Sequence, residues 1–226
     1  MAALLAPVVV VSPSRAAGAP PRAAWQVRPA YWRPVVVDGK TFPVARSNVF
    51  SLLEFTNNWH AVRLRLIDGK WKPVGVHEGI DITAEEGTPI LSMTDGTVEN
   101  IGWLFYSGMR VGVRGSDGRY YFYCHLSAIA QGLREGDPVR AGEIIGRVGN
   151  TGYGPPGHRD EFPAHLHFGI QAGSGWVNPY PTLASLYDAA TVRAARDHAA
   201  LDRLIASGAR MAWERRAARA FTTFEG

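Results

Sequence analysis

Four of the chain's seven histidines fall in three short fragments: His77-Glu78-Gly79-Ile80-Asp81, Tyr123-Cys124-His125 and His165-Leu166-His167. Imidazole nitrogens and carboxylate oxygens are the ligand atoms of a catalytic Zn2+ site, and two His with one Asp leave an open position for water. Zinc lowers the pKa of such a water from about 16 toward about 7 and polarises a substrate carbonyl. Attack on an amide creates a tetrahedral oxyanion, which further imidazoles can hydrogen-bond. His125 and His165 suit that role, one of them also relaying a proton to the leaving amine.

These side chains must be aimed at one point by the backbone around them. In a straight strand the α-carbons of His77 and Asp81 would lie about 13 Å apart, too far for one metal. A helix would bring them onto one face, but Gly79 and the β-branched Ile80, Ile82 and Thr83 disfavour it. A bend at Glu78-Gly79 leading into a strand at Ile80 remains, and glycine permits it. The helical zinc motif that begins His-Glu is rejected on the same ground, which makes Glu78 a turn residue or a hydrogen-bond partner of a ligand rather than a general base.

His165 and His167 sit two apart on an apparent strand, Ala164–Ile170, so they share a face while Leu166 and Phe168 point into the core. One of the two can ligate the metal while its neighbour reaches the reacting oxygen. By the same alternation Tyr121, Tyr123 and His125 share one face, with Phe122, Cys124 and Leu126 on the other. Cys124 is then expected to point away from His125 as a buried small hydrophobe, not as half of a Cys–His nucleophile pair.

The elements that carry these fragments are expected to be mainly short strands. The 226 residues include 25 Gly and 15 Pro, which favour turns over long helices. Residues 1–24 read as an apolar, Pro/Ala-rich leader, either an export signal with Ala17-Gly18-Ala19 as its cleavage site or a disordered start. Residues 25–74 read as a β-rich N-terminal extension punctuated by the hairpin signals Asp38-Gly39 and Asp68-Gly69. Within it Ala61–Leu66 alternates as a half-buried strand would.

From Gly75 to about Asn178, Asp95-Gly96 and Asp117-Gly118 each lie between β-rich runs. Strands around Val139 and Ile144–Val148 flank Ala141-Gly142. The pattern predicts a compact antiparallel sheet, barrel-like or sandwich-like. The final segment, 179–226, reads as a helical extension, with one helix over Thr182–Ala206 stopped by Ser207-Gly208 and a second over Ala209–Phe221.

Composition excludes several classes. The formal charge of +4 equals the surplus between Ala189 and Ala220, where seven Arg face three acidic residues. No alternating aromatic-basic pattern of the kind that stacks on nucleic acid accompanies those bases, so the segment reads as a solvated helix face and no nucleic-acid partner is expected. No apolar run approaches the ~20 residues of a membrane span. Cys124 is the sole cysteine, which rules out an intramolecular disulfide.

The ordered set of fragments resembles the lysostaphin-type (LytM-domain) zinc endopeptidases. It comprises Gly75–Ile82, Gly87-Thr88-Pro89-Ile90, Asp95-Gly96-Thr97-Val98, Tyr123–Ser127, Gly136–Val139, Gly142–Gly146, Gly149–Gly152 and His165–Phe168. The resemblance covers residues 75–178. It implies a compact antiparallel β fold with a narrow groove, Zn2+ as cofactor, and cleavage of peptide bonds in peptidoglycan stem peptides or cross-bridges. It further implies His77, Asp81 and His167 as zinc ligands, His125 and His165 as catalytic histidines, and an extracytoplasmic location, where that polymer lies.

The chain departs from the family pattern at Tyr153–Phe162, a longer loop containing His158, Asp160 and Glu161 that should overhang the groove. Tyr106 and Tyr153 are further groove-lining candidates. The stretch before Gly75 lacks the family's usual Phe-Gly-x-Arg lead-in. Two rivals follow from the same motifs. A lipoyl- or biotinyl-type carrier would need a lysine at its hairpin tip, and no lysine follows Lys72. A non-hydrolytic wall-binding protein, or a regulator of another hydrolase acting through a partner protein, would keep the fold without the chemistry.

Overall fold

The computed structural model describes residues 34–45 and 53–206. The leader 1–24 and the second C-terminal helix expected over Ala209–Phe221 lie outside the described residues.

Fifteen strands and one helix follow one another in the described chain. They are β1 (Val36–Val37), β2 (Lys40–Thr41), β3 (Glu54–Phe55), β4 (Val62–Ile67), β5 (Lys70–Val76), β6 (Ile80–Thr83), β7 (Pro89–Leu91), β8 (Gly96–Leu104) and β9 (Gly108–Gly115). After them come β10 (Tyr120–Cys124), β11 (Leu126–Ile129), β12 (Pro138–Val139), β13 (Ile144–Val148), β14 (His165–Ala172), β15 (Gly175–Val177) and α1 (Tyr180–Ala206). Every strand pair is antiparallel, as the turn-rich sequence predicts.

The large sheet runs β12-β8-β9-β10-β14-β6-β3, with β15 extending alongside the second half of β14. A three-stranded sheet, β11-β13-β7, packs against it. Between them lies a core that includes Ile80, Ile82, Tyr121, Tyr123, Leu126, Val148, Leu166 and Phe168. The buried Tyr123 hydroxyl accepts a hydrogen bond from the Met93 amide at 2.8 Å, so this polar atom is satisfied inside the core.

Helix α1 is capped by Asn178, whose Oδ1 accepts from the Tyr180 amide at 2.9 Å. Its Leu183 and Leu186 are buried. Tyr180 and Tyr187 pack on Phe55 of β3, with ring centroids 5.8 and 5.3 Å away. Phe55 in turn pairs with Ile82 of β6. The helix therefore buttresses the strand that carries Asp81.

Turn chemistry explains most of the connections. Asp38-Gly39 and Asp68-Gly69 close β1–β2 and β4–β5 with positive φ at both residues, the two-residue turn that matches strand twist. Two other punctuation points do not close hairpins. Asp95-Gly96 separates β7 from β8, and Ala141-Gly142 separates β12 from β13, yet in each case the flanking strands belong to different sheets. They are corners where the chain changes layer. Gly96 is needed there for contact: a Cβ on it would stand 2.3 Å from the Arg114 carbonyl oxygen.

The expectation of a half-buried strand at Ala61–Leu66 is corrected. A strand does form, β4, but Val62, Leu64 and Leu66 are each more than half exposed. Among the described residues its ladder partner is β5 in a two-stranded ribbon, and no described layer covers its apolar positions.

Asp117 ties two of these hairpins together. Its Oδ2 accepts from the Tyr121 hydroxyl at 2.7 Å and from Lys40 Nζ at 3.0 Å, joining the β9–β10 turn to β2. Partial burial works to raise the Asp117 carboxyl, but these donors outweigh it and hold it below its ordinary value. Asp117→Ala should lower unfolding stability by about 1–3 kcal/mol at neutral pH in urea titrations. A depressed carboxyl contributes fully above its unfolded pKa of about 4 and loses that contribution as pH falls through the folded value. The gap between wild type and variant should therefore narrow below about pH 4.

Candidate active site

Asp81 and His167 sit opposite each other in the β6–β14 ladder. Their neighbours Ile80, Ile82, Leu166 and Phe168 point into the core, so the carboxylate and the imidazole emerge together on the other face. His77 arrives from β5 through the expected bend over residues 77–79. Its backbone is held by two bonds to the foot of the β4–β5 ribbon: its amide donates to the Ala61 carbonyl at 2.9 Å, and its carbonyl accepts from the His60 amide at 2.8 Å. The ligand atoms of His77, Asp81 and His167 all lie within 4.8 Å of one another.

The contacts are closer than that bound. Asp81 Oδ1 lies 3.0 Å from His77 Nε2 and 2.9 Å from His167 Nδ1, and the two ring nitrogens are 2.9 Å apart. The other carboxylate oxygen, Oδ2, accepts from Asn58 Nδ2 at 3.3 Å and from the Arg63 guanidinium at 3.4 Å. One oxygen is thus anchored and the other presented. His77 Nδ1 lies 3.0 Å from the Asn58 carbonyl, which can only accept, so Nδ1 carries a proton. In the neutral ring Nε2 is then an acceptor, and it faces a carboxylate oxygen that is also an acceptor. Only a shared proton or a cation reconciles two acceptors at 3.0 Å.

The donor set fits zinc. Bonds of about 2.0–2.1 Å place neighbouring tetrahedral ligands about 3.3 Å apart. The observed triangle needs to open by only a few tenths of an ångström. Burial works to raise the Asp81 carboxyl, but hydrogen bonding with His167 and His77 outweighs it and holds Asp81 far below the usual carboxylate range. Burial also lowers His167, with Asp81 opposing that shift. Ionised carboxylate and neutral imidazole are the forms a metal requires.

His125 and His165 stand beside this triangle with ring centroids 4.8 Å apart. His125 Nδ1 donates to the Thr151 carbonyl at 2.8 Å, and His165 Nδ1 donates to the Pro163 carbonyl at 2.9 Å. Each ring is thereby oriented with Nε2 free for chemistry. His165 Nε2 lies 3.7 Å from Asp81 Oδ1. Burial, and after it the neighbouring His165, push His125 down to about 3, so it is neutral at physiological pH.

The facing expected of Tyr123-Cys124-His125 is corrected. Tyr121 and Tyr123 are fully buried in the core, and Cys124 pairs with His167, placing Cys124 on the site's face of the sheet. Strict alternation would have sent His125 into the core with the tyrosines. Instead His125 adopts φ +62, a left-handed residue immediately after β10, and swings back to the site. Cys124 is buried beneath the site, and burial pushes its thiol well above the ordinary range, so it stays a neutral hydrophobe.

The loop 153–162 covers one side of the histidines. Phe162 packs edge-on against His125 at 4.6 Å and tilts against His165 at 5.0 Å, while Tyr153 stacks on His125 at 6.5 Å. Tyr106 joins this wall through Tyr153 at 5.8 Å. His158 bonds within its own loop, Nδ1 to the Gly152 carbonyl at 2.8 Å, and stands outside the His77–Asp81–His167 group. Glu78 is exposed at the bend.

Sequence reasoning missed Asn58, Arg63, Thr151 and Phe162. Asn58 lies in the turn-forming run Thr56-Asn57-Asn58, Thr151 in the fragment Gly149–Gly152 and Phe162 in the loop Tyr153–Phe162, but the contacts through which they and Arg63 act are long-range and no local pattern marks them.

Residues 75–179 match the model of Peptidase family M23, and this segment is an M23 peptidase domain of the lysostaphin type. The family is one of metallopeptidases. The L-Ala–D-Glu endopeptidase of Bacillus subtilis is 43% identical over 112 residues, covering 48% of this chain and 34% of that protein. Lysostaphin of Staphylococcus simulans is 36% identical over 96 residues, covering 42% and 18%. The crystal structure of a LytM protein from Ruminococcus gnavus superposes with a TM-score of 0.55 at 35% identity, covering 70% of this chain and 63% of that one. The chain thus spans about a third of the length of the first of these curated relatives and about a fifth of the second.

Gly79 is required by contact rather than by backbone freedom, since its φ is not among the positive ones. A Cβ there would stand 2.6 Å from His167 Cε1 and 2.8 Å from the Phe168 carbonyl oxygen. Gly79→Ala should therefore displace the His167 ring. In calorimetric titration with Zn2+, the variant should bind at least about tenfold more weakly than wild type; unchanged affinity would refute this role for the glycine.

Proposed function

We propose that the protein is a zinc-dependent endopeptidase that hydrolyses peptide bonds in peptidoglycan stem peptides or cross-bridges, acting outside the cytoplasm where that polymer lies. The observation that carries this reading is the convergence of three potential ligand atoms, His77 Nε2, Asp81 Oδ1 and His167 Nδ1, beside two further imidazoles whose Nδ1 atoms are tied to backbone carbonyls. The names of relatives that match the same segment, among them an L-Ala–D-Glu endopeptidase and a glycyl-glycine endopeptidase, support the substrate class.

His77, Asp81 and His167 hold the zinc in this proposal. The bound ion supplies Lewis acidity, making water nucleophilic near neutral pH and polarising the scissile carbonyl. His125, neutral and fixed by the Thr151 carbonyl, offers Nε2 to take a proton and return it to the leaving amine. His165, fixed by the Pro163 carbonyl, presents Nε2 beside the same centre as a hydrogen-bond partner for the oxyanion. Phe162 and Tyr153 shield His125 from bulk water, which strengthens its hydrogen bonds in the site.

The roles separate experimentally. His77→Ala or Asp81→Ala should abolish both bound zinc and release of dye from labelled peptidoglycan. His125→Ala or His165→Ala should retain most of the zinc while losing about a hundredfold or more in rate. Metal content by atomic absorption, read beside dye release with and without chelator, decides it. Equal metal loss in all four variants would overturn the division of roles, and chelator-resistant dye release would overturn zinc-dependent cleavage.

A further inference from the structure

Beyond the metal triangle, the site's face of the large sheet carries a cation that the proposed chemistry leaves unused. Val111 is fully buried in the core, so its neighbour Arg110 on β9 points to the opposite face, the one that bears His167 and Asp81. Tyr123 pairs with Val111, so one step further along the antiparallel ladder sets Cys124 opposite Arg110. Cys124 pairs with His167 and His167 with Asp81. Arg110, Cys124, His167 and Asp81 thus form one row across four adjacent strands. At about 4.8 Å per strand, the Arg110 backbone lies about 10 Å from that of His167. Both Arg110 and Asp81 act electrostatically on the Cys124 thiol between them.

Arg110 is half-buried and held in place, yet its charge is not neutralised. Its guanidinium reaches the Tyr120 hydroxyl, and Tyr120 lies across Gly112, where a Cβ would collide with that hydroxyl. Among the described residues no carboxylate pairs with Arg110, and its buried Nε has no hydrogen-bond partner. The neighbouring Arg114, by contrast, is paired with Glu99 through both Nε and Nη2. A guanidinium prepared in this way matches a carboxylate in shape and charge. The opposite wall adds to the same field: Arg65 lies over the Tyr106 ring at 5.0 Å, within the aromatic cluster that continues through Tyr153 to His125.

We infer that Arg110 is a specificity-determining residue that binds a free carboxylate of the peptide substrate near the cleaved bond. This rests on the proposed endopeptidase activity. At about 3.4 Å per extended residue, the ~10 Å between the Arg110 and His167 backbones corresponds to about three residues of an extended peptide. The preferred substrate is therefore an acidic peptide, and converting that carboxylate to a carboxamide removes the recognised group.

The test uses the zinc-loaded full chain and one stem peptide in two forms, with the carboxylate nearest the cleaved bond either free or amidated. Wild type should cleave the free acid with a KM about tenfold or more below that of the amide, at similar kcat. Arg110→Gln should raise KM for the free acid to the amide's value and leave the amide unaffected, and Arg110→Lys should recover part of the difference. Equal KM for the two forms in wild type, or an Arg110→Gln loss in kcat shared by both, would overturn the inference. If wild type cleaves neither form, calorimetric binding of the same two peptides separates the claims. Tighter binding of the free acid that vanishes in Arg110→Gln sustains the carboxylate site while the hydrolytic reading fails, and equal binding overturns the site itself.

Discussion

Pairing of Asp81 with His167 across the β6–β14 ladder is the constraint on which the site depends. A strand's side chains alternate with period two, so a slip of one residue would exchange these polar groups for core residues. The register is enforced from the opposite face, where Ile80, Ile82, Leu166 and Phe168 are each fully buried. Displacing any of them into water costs about 1.5–3 kcal/mol. The energy that positions the acceptor triangle therefore comes from hydrophobic burial on the far side of the sheet. The polar contacts within the triangle could not enforce that register by themselves.

A second constraint sets the flanking imidazoles. His125 is placed by a left-handed residue at a strand end, and His165 by the first position of β14. Both are tied to the segment after β13: the His165 amide donates to the Gly149 carbonyl at 3.0 Å, and His125 Nδ1 donates to the Thr151 carbonyl. Thr151 is itself fixed, its Oγ1 donating to the Leu126 carbonyl at 2.8 Å and accepting from the Met109 amide at 3.0 Å. Gly108 makes this approach possible, because a Cβ there would meet the Thr151 backbone at 2.3 Å. The small sheet, through β13 and its exit, thus orients histidines that stand on the large one.

What could be read from the sequence follows the range of the physics involved. The bend between His77 and Asp81 and the shared face of His165 and His167 depend on local sterics and period two, and both were legible. So were the Asp-Gly hairpins at 38–39 and 68–69. Periodicity failed at His125, because one residue at positive φ inverts the facing of everything after it and nothing in Tyr-Cys-His announces that. It failed again at β4, where alternation reads as one covered face but no layer among the described residues covers it. Asp95-Gly96 has the composition of a hairpin turn and forms a corner between sheets, since pairing is decided by strands far away in the chain. Asn58 and Arg63, which anchor Asp81 from the preceding ribbon, belong to contacts that only the assembled fold creates.

The walls around the centre obey a different logic from the centre itself. The loop 153–162 is pinned at two adjacent residues: Arg159 Nη2 lies 2.8 Å from each Glu86 carboxylate oxygen, and Asn150 Nδ2 donates to Asp160 Oδ1 at 2.8 Å. Held in this way, it presents Phe162 as a fixed aromatic wall against His125 and His165. That wall is also what keeps His125 neutral, since burial is the largest cause of its lowered pKa. Asp81, nearly as enclosed, is kept ionised because His167 and His77 hydrogen-bond to its presented oxygen. Two groups a few ångströms apart are thus driven in opposite senses, one toward neutrality and one toward charge. A centre that must bind a cation and accept a proton at the same pH needs that divergence.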